Sequence, residues 1–302
     1  MRRFYLSLGL FVGLVATVQA QSFFSLRRER SLIATVGTGT STYFGELKNK
    51  NDYIDAKPNF NFGLQYYFTP SFSARAEASW FQLSGSDAKA DPTGELGRKV
   101  RNLSFQTNAA EVSITGAYNF FPSGNRYYRR PGFNVFVFGG IGGMYFNPTT
   151  IYQGKKVDLQ PLQTELVHYS KFGIVIPLGL GIRLRTGPNT NIAIEGGYRK
   201  TFTDYLDDVS TVHHDASKYS SPLAAALSDR GPEIGQPLVK EGWIRGNPKT
   251  KDGYMLLSIK LEYYLPDNFQ IFGGGGQKKG GSFNRKRNSS FYRYNRGGKL
   301  RR

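Results

Sequence analysis

The chain has 302 residues, is rich in glycine and aromatics, contains no cysteine and carries a formal charge of +18. That length fits one large β domain or two ordinary ones. Without cysteine there is no disulfide framework, lipoprotein anchor, thiolate metal site or cysteine nucleophile.

The first residues have the pattern of an export signal. Arg2 and Arg3 precede an apolar run over 4–18, and Val18-Gln19-Ala20 offers small residues before a cut at Gln21. This predicts a signal peptide over 1–20 and an exported mature chain. No later run approaches the ~20 apolar residues of a membrane helix, so a membrane-spanning mature protein must be a closed barrel.

Eight strands are expected, at about 32–44, 59–68, 73–81, 106–120, 133–146, 171–185, 192–202 and 253–264. Most alternate with period two. In the last, Met255, Leu257, Ile259, Leu261 and Tyr263 share one face, and Leu256, Ser258, Lys260 and Glu262 the other. The fifth has apolar and glycine residues on both faces and leaves its register open. Connections after strands two and six are short, the one at 121–132 is middling, and those after one, three, five and seven are long. That is the pattern of an up-and-down outer-membrane barrel with short periplasmic turns. The expected fold is therefore all-β, an eight-stranded antiparallel up-and-down transmembrane β-barrel. Its parts are a periplasmic segment at 21–30, the barrel at 31–265 and a disordered, Gly-rich basic tail at 266–302.

The competing fold is a soluble barrel, apolar within and polar outside. The polar faces are rich in Gly, Ser and Ala, as a narrow lumen requires. Aromatics gather near strand ends, at Tyr66-Tyr67-Phe68, Trp80-Phe81, 118–121 and Tyr263-Tyr264. Both features favour the membrane barrel. Arg75, Glu77, Glu111, Arg183, Glu195, Arg199, Lys260 and Glu262 then point inward. Eight strands make a barrel narrow enough to be filled by side chains. A paired charge plug is expected rather than an ion path, because a charge away from water needs partners.

No enzyme is expected. His168, His213 and His214 all fall in or beside long loops and read as solvated, with no Gly-x-Ser-x-Gly frame around a nearby serine. Asp204, Asp207 and Asp208 could hold calcium through oxygen ligands, or cap turns and bond loop backbone; the structural role is favoured. No other metal and no cofactor is implied. Ser221-Pro222 opens a short helix with Ser at the N-cap and Pro at N1, so the long fourth loop reads as a folded cap over the barrel mouth.

An even strand number returns the C-terminus to the periplasm. Residues 266–302 hold ten Lys and Arg against Asp267, a net charge of +9, half of the chain's total. Lys278, Lys279, Arg285, Lys286, Arg287, Arg293 and Arg296, with Arg126, Arg129 and Arg130 of the 121–132 turn, are the expected contacts for acidic protein surfaces or anionic outer-membrane lipid. Gly273–276 would act as a flexible tether. Export argues against nucleic acid as a partner, and no small-molecule substrate is expected.

Several motifs occur together in order: Tyr43-Phe44-Gly45-Glu46-Leu47, Arg101-Asn102-Leu103-Ser104-Phe105, Tyr118-Asn119-Phe120, Phe146-Asn147-Pro148, Leu159-Gln160-Pro161-Leu162 with Thr164-Glu165, and Glu195-Gly-Gly-Tyr-Arg-Lys-Thr-Phe-Thr-Asp-Tyr-Leu-Asp-Asp-Val-Ser210. In this order they resemble the PorG-type outer-membrane β-barrel proteins of the Bacteroidota, over about residues 30–265. The resemblance implies a component of the type IX secretion system, in some members linked to gliding, associated with a periplasmic ring of PorK and PorN type and distinct from the translocation pore. Two other classes compete: a lipid- or peptide-modifying barrel enzyme, and a passive OmpA-like structural barrel.

Overall fold

The computed structural model describes residues 32–48, 56–90, 96–123 and 127–266. The expected signal segment, residues 21–31, Arg126 and the tail residues from 267 onward, with all seven of the lysines and arginines singled out there, lie outside the described residues.

Period-two sequences produce long strands: β1 (Leu32–Phe44), β2 (Lys57–Tyr67), β3 (Phe72–Ser86), β4 (Ser104–Asn119), β5 (Phe133–Tyr152), β6 (Lys155–Asp158), β7 (Phe172–Arg185), β8 (Thr190–Thr201) and β9 (Gly253–Tyr264). Each long strand pairs antiparallel with its neighbour along the chain, and β1 pairs with β9. With the β4–β5 pairing the sheet closes, so eight strands form a barrel without a free edge.

Three strands differ from the sequence expectation. β3 runs on to Ser86 and β5 to Tyr152, because polar residues beyond the apolar stretch keep pairing above it. β5 then turns back through Gln153 (φ 48°) and Gly154 (φ 75°) into β6. Two successive left-handed residues make the tight hairpin turn whose twist matches its strands. The register of β5 puts Phe133, Val137, Ile141 and Tyr145 outside and Phe136, Phe138, Met144 and Phe146 inside. Its pairing with β7 lapses at Gly140 and Ile141, opposite Pro177, which has no N–H to give.

The exterior is apolar in a band. Phe62, Val112, Ile114, Ile141, Ile174, Leu178, Leu180, Leu257 and Ile259 all face outward and are exposed. Aromatics rim the band at both ends. Tyr66, Phe68, Phe72, Tyr118, Phe120, Phe133 and Tyr263 lie toward the short turns, and Phe60, Trp80, Tyr145, Phe172 and Tyr198 toward the long loops. On β3, Phe72 and Trp80 are eight residues apart, roughly 19 Å along the axis of a strand tilted ~45°. A soluble barrel would bury this face. Here it is outside, as lipid requires.

The interior is polar midway and apolar toward the loops. There Phe81, Leu83, Phe105, Met144, Phe146, Leu206, Val209, Leu227, Tyr254 and Leu256 form one packed cluster. The expected inward face rich in Gly, Ser and Ala thus also carries large apolar side chains, and Tyr67, Phe81 and Tyr264 lie inside rather than in the girdles. Glycine makes room for the larger rings. A Cβ on Gly181 would sit 2.5 Å from Cζ of Phe136 and 2.9 Å from the Ile194 carbonyl oxygen. Gly181→Val should therefore displace the Phe136 ring and destabilise the barrel by about 1–3 kcal/mol, read as a lower urea midpoint in detergent micelles.

Candidate functional site

Inside the barrel, all eight expected charged side chains are buried. Four are basic and four acidic, so the lumen is formally neutral. Alternation places each one, and antiparallel pairing sets facing strands at the right height. Arg75 bonds Glu195 bidentately, Nη1 to Oε1 at 2.5 Å and Nη2 to Oε2 at 2.8 Å. Its Nε lies 3.3 Å from Glu77. Lys260 Nζ joins both acids, 2.5 Å from Glu77 and 2.9 Å from Glu195. This four-membered knot spans β3, β8 and β9.

Toward the short turns, Arg183 donates to both oxygens of Glu262, to the Tyr67 hydroxyl at 2.9 Å and to Asn119 Oδ1 at 2.6 Å. Its guanidinium lies 4.5 Å from the Phe136 ring centroid. Asn191 gives Glu262 a further bond at 2.8 Å. Toward the loops, the Tyr254 hydroxyl donates to Glu111 at 2.6 Å, with Arg199 3.6 Å from the same carboxylate. Multiple partners make burial of these charges tolerable, whereas removing one partner leaves a buried charge uncompensated. Glu195→Gln should cost about 3–5 kcal/mol in urea unfolding, and the paired replacement Arg75→Met with Glu195→Met less. In planar bilayers the wild-type protein should show no stable conductance; reproducible ohmic steps would contradict a filled lumen.

Over the long-loop end lies a folded cap. Arg245, buried, donates to Glu165 Oε1 at 2.7 Å and to the carbonyls of Asp208 and Ser228. Glu165 also accepts from the N–H groups of Ser210 and Thr211. Asp87 receives Arg98 and Arg101, and Arg101 reaches the Arg245 carbonyl. The helix Pro222–Ser228 forms with the Ser221 hydroxyl accepting from Ala224 N–H at 3.1 Å. All four long connections thus meet at the mouth. Arg245, Asp87, Arg101 and Glu165 were not singled out as site residues by sequence reasoning. Glu165 and Arg101 stood inside the resemblance motifs, but nothing local marks Arg245 among the loop cations.

The three aspartates do not converge. Asp208, in the left-handed region at φ 65°, turns to the Tyr169 hydroxyl at 2.6 Å, the Thr164 hydroxyl and Arg245. Its carboxyl is pushed up to about 6 by burial, against the pull of Arg245. Asp207 instead meets Asp252, and the Tyr43 hydroxyl lies between them, 2.7 Å from Asp207 Oδ2 and 2.6 Å from Asp252 Oδ1. Burial and neighbouring carboxylates raise Asp207 and Asp252 well above the usual carboxylate range. Asp204 accepts from the Ser210 hydroxyl at 2.6 Å.

Two further expectations are corrected. Arg130 is no partner contact. It is buried, and its five guanidinium N–H donors bond Asn191 Oδ1 and the carbonyls of Tyr127, Gly187, Pro188 and Thr190, clamping one short turn to another. Arg129 stays exposed on the same turn. His213 is not solvated but buried under the cap, while His168 is exposed and His214 half-buried. No hydrogen bond joins a histidine ring to a serine, threonine or carboxylate among the described residues.

A protein family described as a domain of unknown function, DUF6089, matches residues 14–221. The chain belongs to this DUF6089 family. No curated protein matches the sequence significantly. Among solved structures, the chain is similar to Neisserial surface protein A (7% identity, 78% of this chain and 97% of that chain covered, TM-score 0.40). It is similar also to Ail, the attachment invasion locus protein of Yersinia pestis (9%, 77% and 96%, 0.37), and to the N-terminal β-barrel domain of Pseudomonas aeruginosa OprF (9%, 78% and 98%, 0.34).

Burial, with Arg245 nearby, lowers His213 to about 4. The unfolded cap takes up a proton below about pH 6.5, its ordinary value, and the folded cap does not until near pH 4. Cap stability contributed by neutral His213 is therefore present above pH 6.5 and lost as pH falls toward 4. Asp207, Asp208 and Asp252, with raised values, act with the opposite sign. The expected outcome is that amide exchange over residues 209–247 accelerates more on acidification in wild type than in His213→Gln, which keeps those carboxyls.

Proposed function

We propose that this DUF6089 protein is a non-enzymatic outer-membrane barrel that anchors or positions a periplasmic assembly. Following its resemblance to PorG-type proteins, that assembly is a PorK/PorN-type ring of a type IX secretion system, with gliding as one downstream use. The observation that carries the reading is the neutral, hydrogen-bonded lumen, with Arg75, Glu77, Glu195 and Lys260 in one knot. A barrel filled this way has no room for a folded or extended cargo, so its role lies beside a pore rather than as one. The aromatic-rimmed apolar exterior and the export-type N-terminus support placement in an outer membrane.

On this reading, the short-turn end faces the periplasm together with both termini. Arg129, exposed there, and the basic tail supply charge for an acidic ring surface or anionic lipid. No small molecule or nucleic acid enters the account. The test has two parts. Loss of the gene should abolish secretion of cargo with a C-terminal sorting domain while the envelope stays intact. Removing residues 273–302 should weaken co-purification of ring proteins with the barrel, most at low salt, because high salt already screens the tail of the intact protein. Normal cargo secretion without the gene would remove the secretion assignment, and salt-insensitive, undiminished recovery would remove the tail from it.

A further inference from the structure

The carboxylates of the cap fall into two groups. Asp87 is bonded by Arg98 and Arg101, and Glu165 and Asp208 by Arg245. Glu46, Asp207 and Asp252 have no lysine or arginine in ion-pair contact among the described residues. Yet one oxygen from each comes within 4.8 Å of the other two. Like charges at such spacing under a loop cap repel strongly unless they take up protons or a cation lies among them.

The hydrogen bonds do not supply it. Tyr43 is 2.7 Å from Asp207 Oδ2 and 2.6 Å from Asp252 Oδ1. A phenol carries one proton, so it can satisfy only one of these oxygens. Backbone N–H groups of Val209 and Leu206 take the other oxygens of the two aspartates. Two more oxygens beside the cluster are shielded from solvent and receive no donor: Oε2 of Glu46 and Oδ1 of Asp204. Asp204 is 2% exposed. Among the described residues the cation in contact with it is Lys251, 4.0 Å away and partly exposed. Acceptors without donors, converging from two separate connections, are what a coordinated cation leaves behind.

We propose that Glu46, Asp207 and Asp252, with Asp204 completing the shell, form a calcium site at the barrel mouth. All the donors are hard oxygens, which selects Ca²⁺ or Mg²⁺ over thiophilic or imidazole-loving metals. Carboxylate oxygens all within 4.8 Å of one another can share one Ca²⁺, which takes six to eight oxygens at ~2.3–2.6 Å in flexible geometry, whereas Mg²⁺ demands a near-ideal octahedron at ~2.0–2.1 Å. Glu46 comes from the connection after β1, Asp204 and Asp207 from the start of the connection after β8, and Asp252 from its end. The ion would therefore fasten both ends of the 202–252 connection to the first loop, where Asp252 N–H already reaches the Thr203 carbonyl at 3.2 Å.

The test uses the full-length protein in detergent micelles, stripped with chelator. CaCl₂ is titrated by calorimetry, with MgCl₂ as the comparison, and amide exchange is followed over residues 203–252. One saturable Ca²⁺ site is expected, at least tenfold tighter than for Mg²⁺, with exchange near 203–210 and 250–252 slowed tenfold or more on saturation. Asp207→Asn with Asp252→Asn should abolish both effects. Glu46→Gln, at a half-buried position outside the Tyr43 pair, should fold and still weaken Ca²⁺ at least tenfold. Absence of saturable binding to folded wild type at millimolar Ca²⁺, or wild-type binding by Glu46→Gln, would overturn the site.

Discussion

Everything in this molecule depends on the neutral charge knot within the barrel. An apolar exterior forces the polar face inward, and eight strands leave too little width for bulk water. Four basic and four acidic side chains therefore have to satisfy one another across the lumen. Arg75 links β3 to β8, Lys260 links β9 to both, and Arg183 links β7 to β9. The bonds from β3 to β8 and β9 run across the barrel rather than between paired neighbours, so they hold its cross-section as the sheet hydrogen bonds hold its wall. They also explain why the lumen can serve as structure and not as a passage.

The cap repeats this logic at the loop end with different partners. Arg245 and Arg101 gather the carboxylates of three connections, while Glu46, Asp207 and Asp252 gather around Tyr43. The short motifs that carried the family resemblance are far apart in sequence. Tyr43 to Leu47, Arg101 to Phe105, Leu159 to Glu165 and Asp204 to Ser210 nevertheless meet in one packed layer over Phe81, Phe146 and Tyr254. A capped, plugged barrel has its loop end rigid and its short-turn end simple, with Arg130 tying two turns together.

The wall of the barrel was legible because period two is a local property. In β9 the alternation of Leu257, Ile259 and Leu261 with Ser258, Lys260 and Glu262 is enough to assign both faces. β5 was not legible, since Phe136 and Phe138 face inward against Gly179 and Gly181 of β7, and a fit between two strands leaves no periodic mark on one. The cap was least legible. Its partners are separated by tens of residues, as Arg245 is from Glu165, and a single left-handed residue, Asp208, sends its carboxylate away from Asp207. Local spacing grouped those aspartates; backbone direction separated them. His213 and Arg130 were misjudged for the same reason, because burial in a loop is decided by distant segments.

The inside-out assignment can be tested directly because the chain has no cysteine of its own. Single cysteines at Val112, Ser113 and Ile114 report adjacent positions on β4, two facing outward and one buried inside. In lipid vesicles, probes at Val112→Cys and Ile114→Cys should be quenched by brominated lipid tails and be inaccessible to a water-soluble maleimide. Ser113→Cys should resist labelling until the barrel is unfolded. Ready aqueous labelling at 112 and 114, with no quenching from lipid, would contradict a membrane-spanning barrel with a closed, charge-filled lumen.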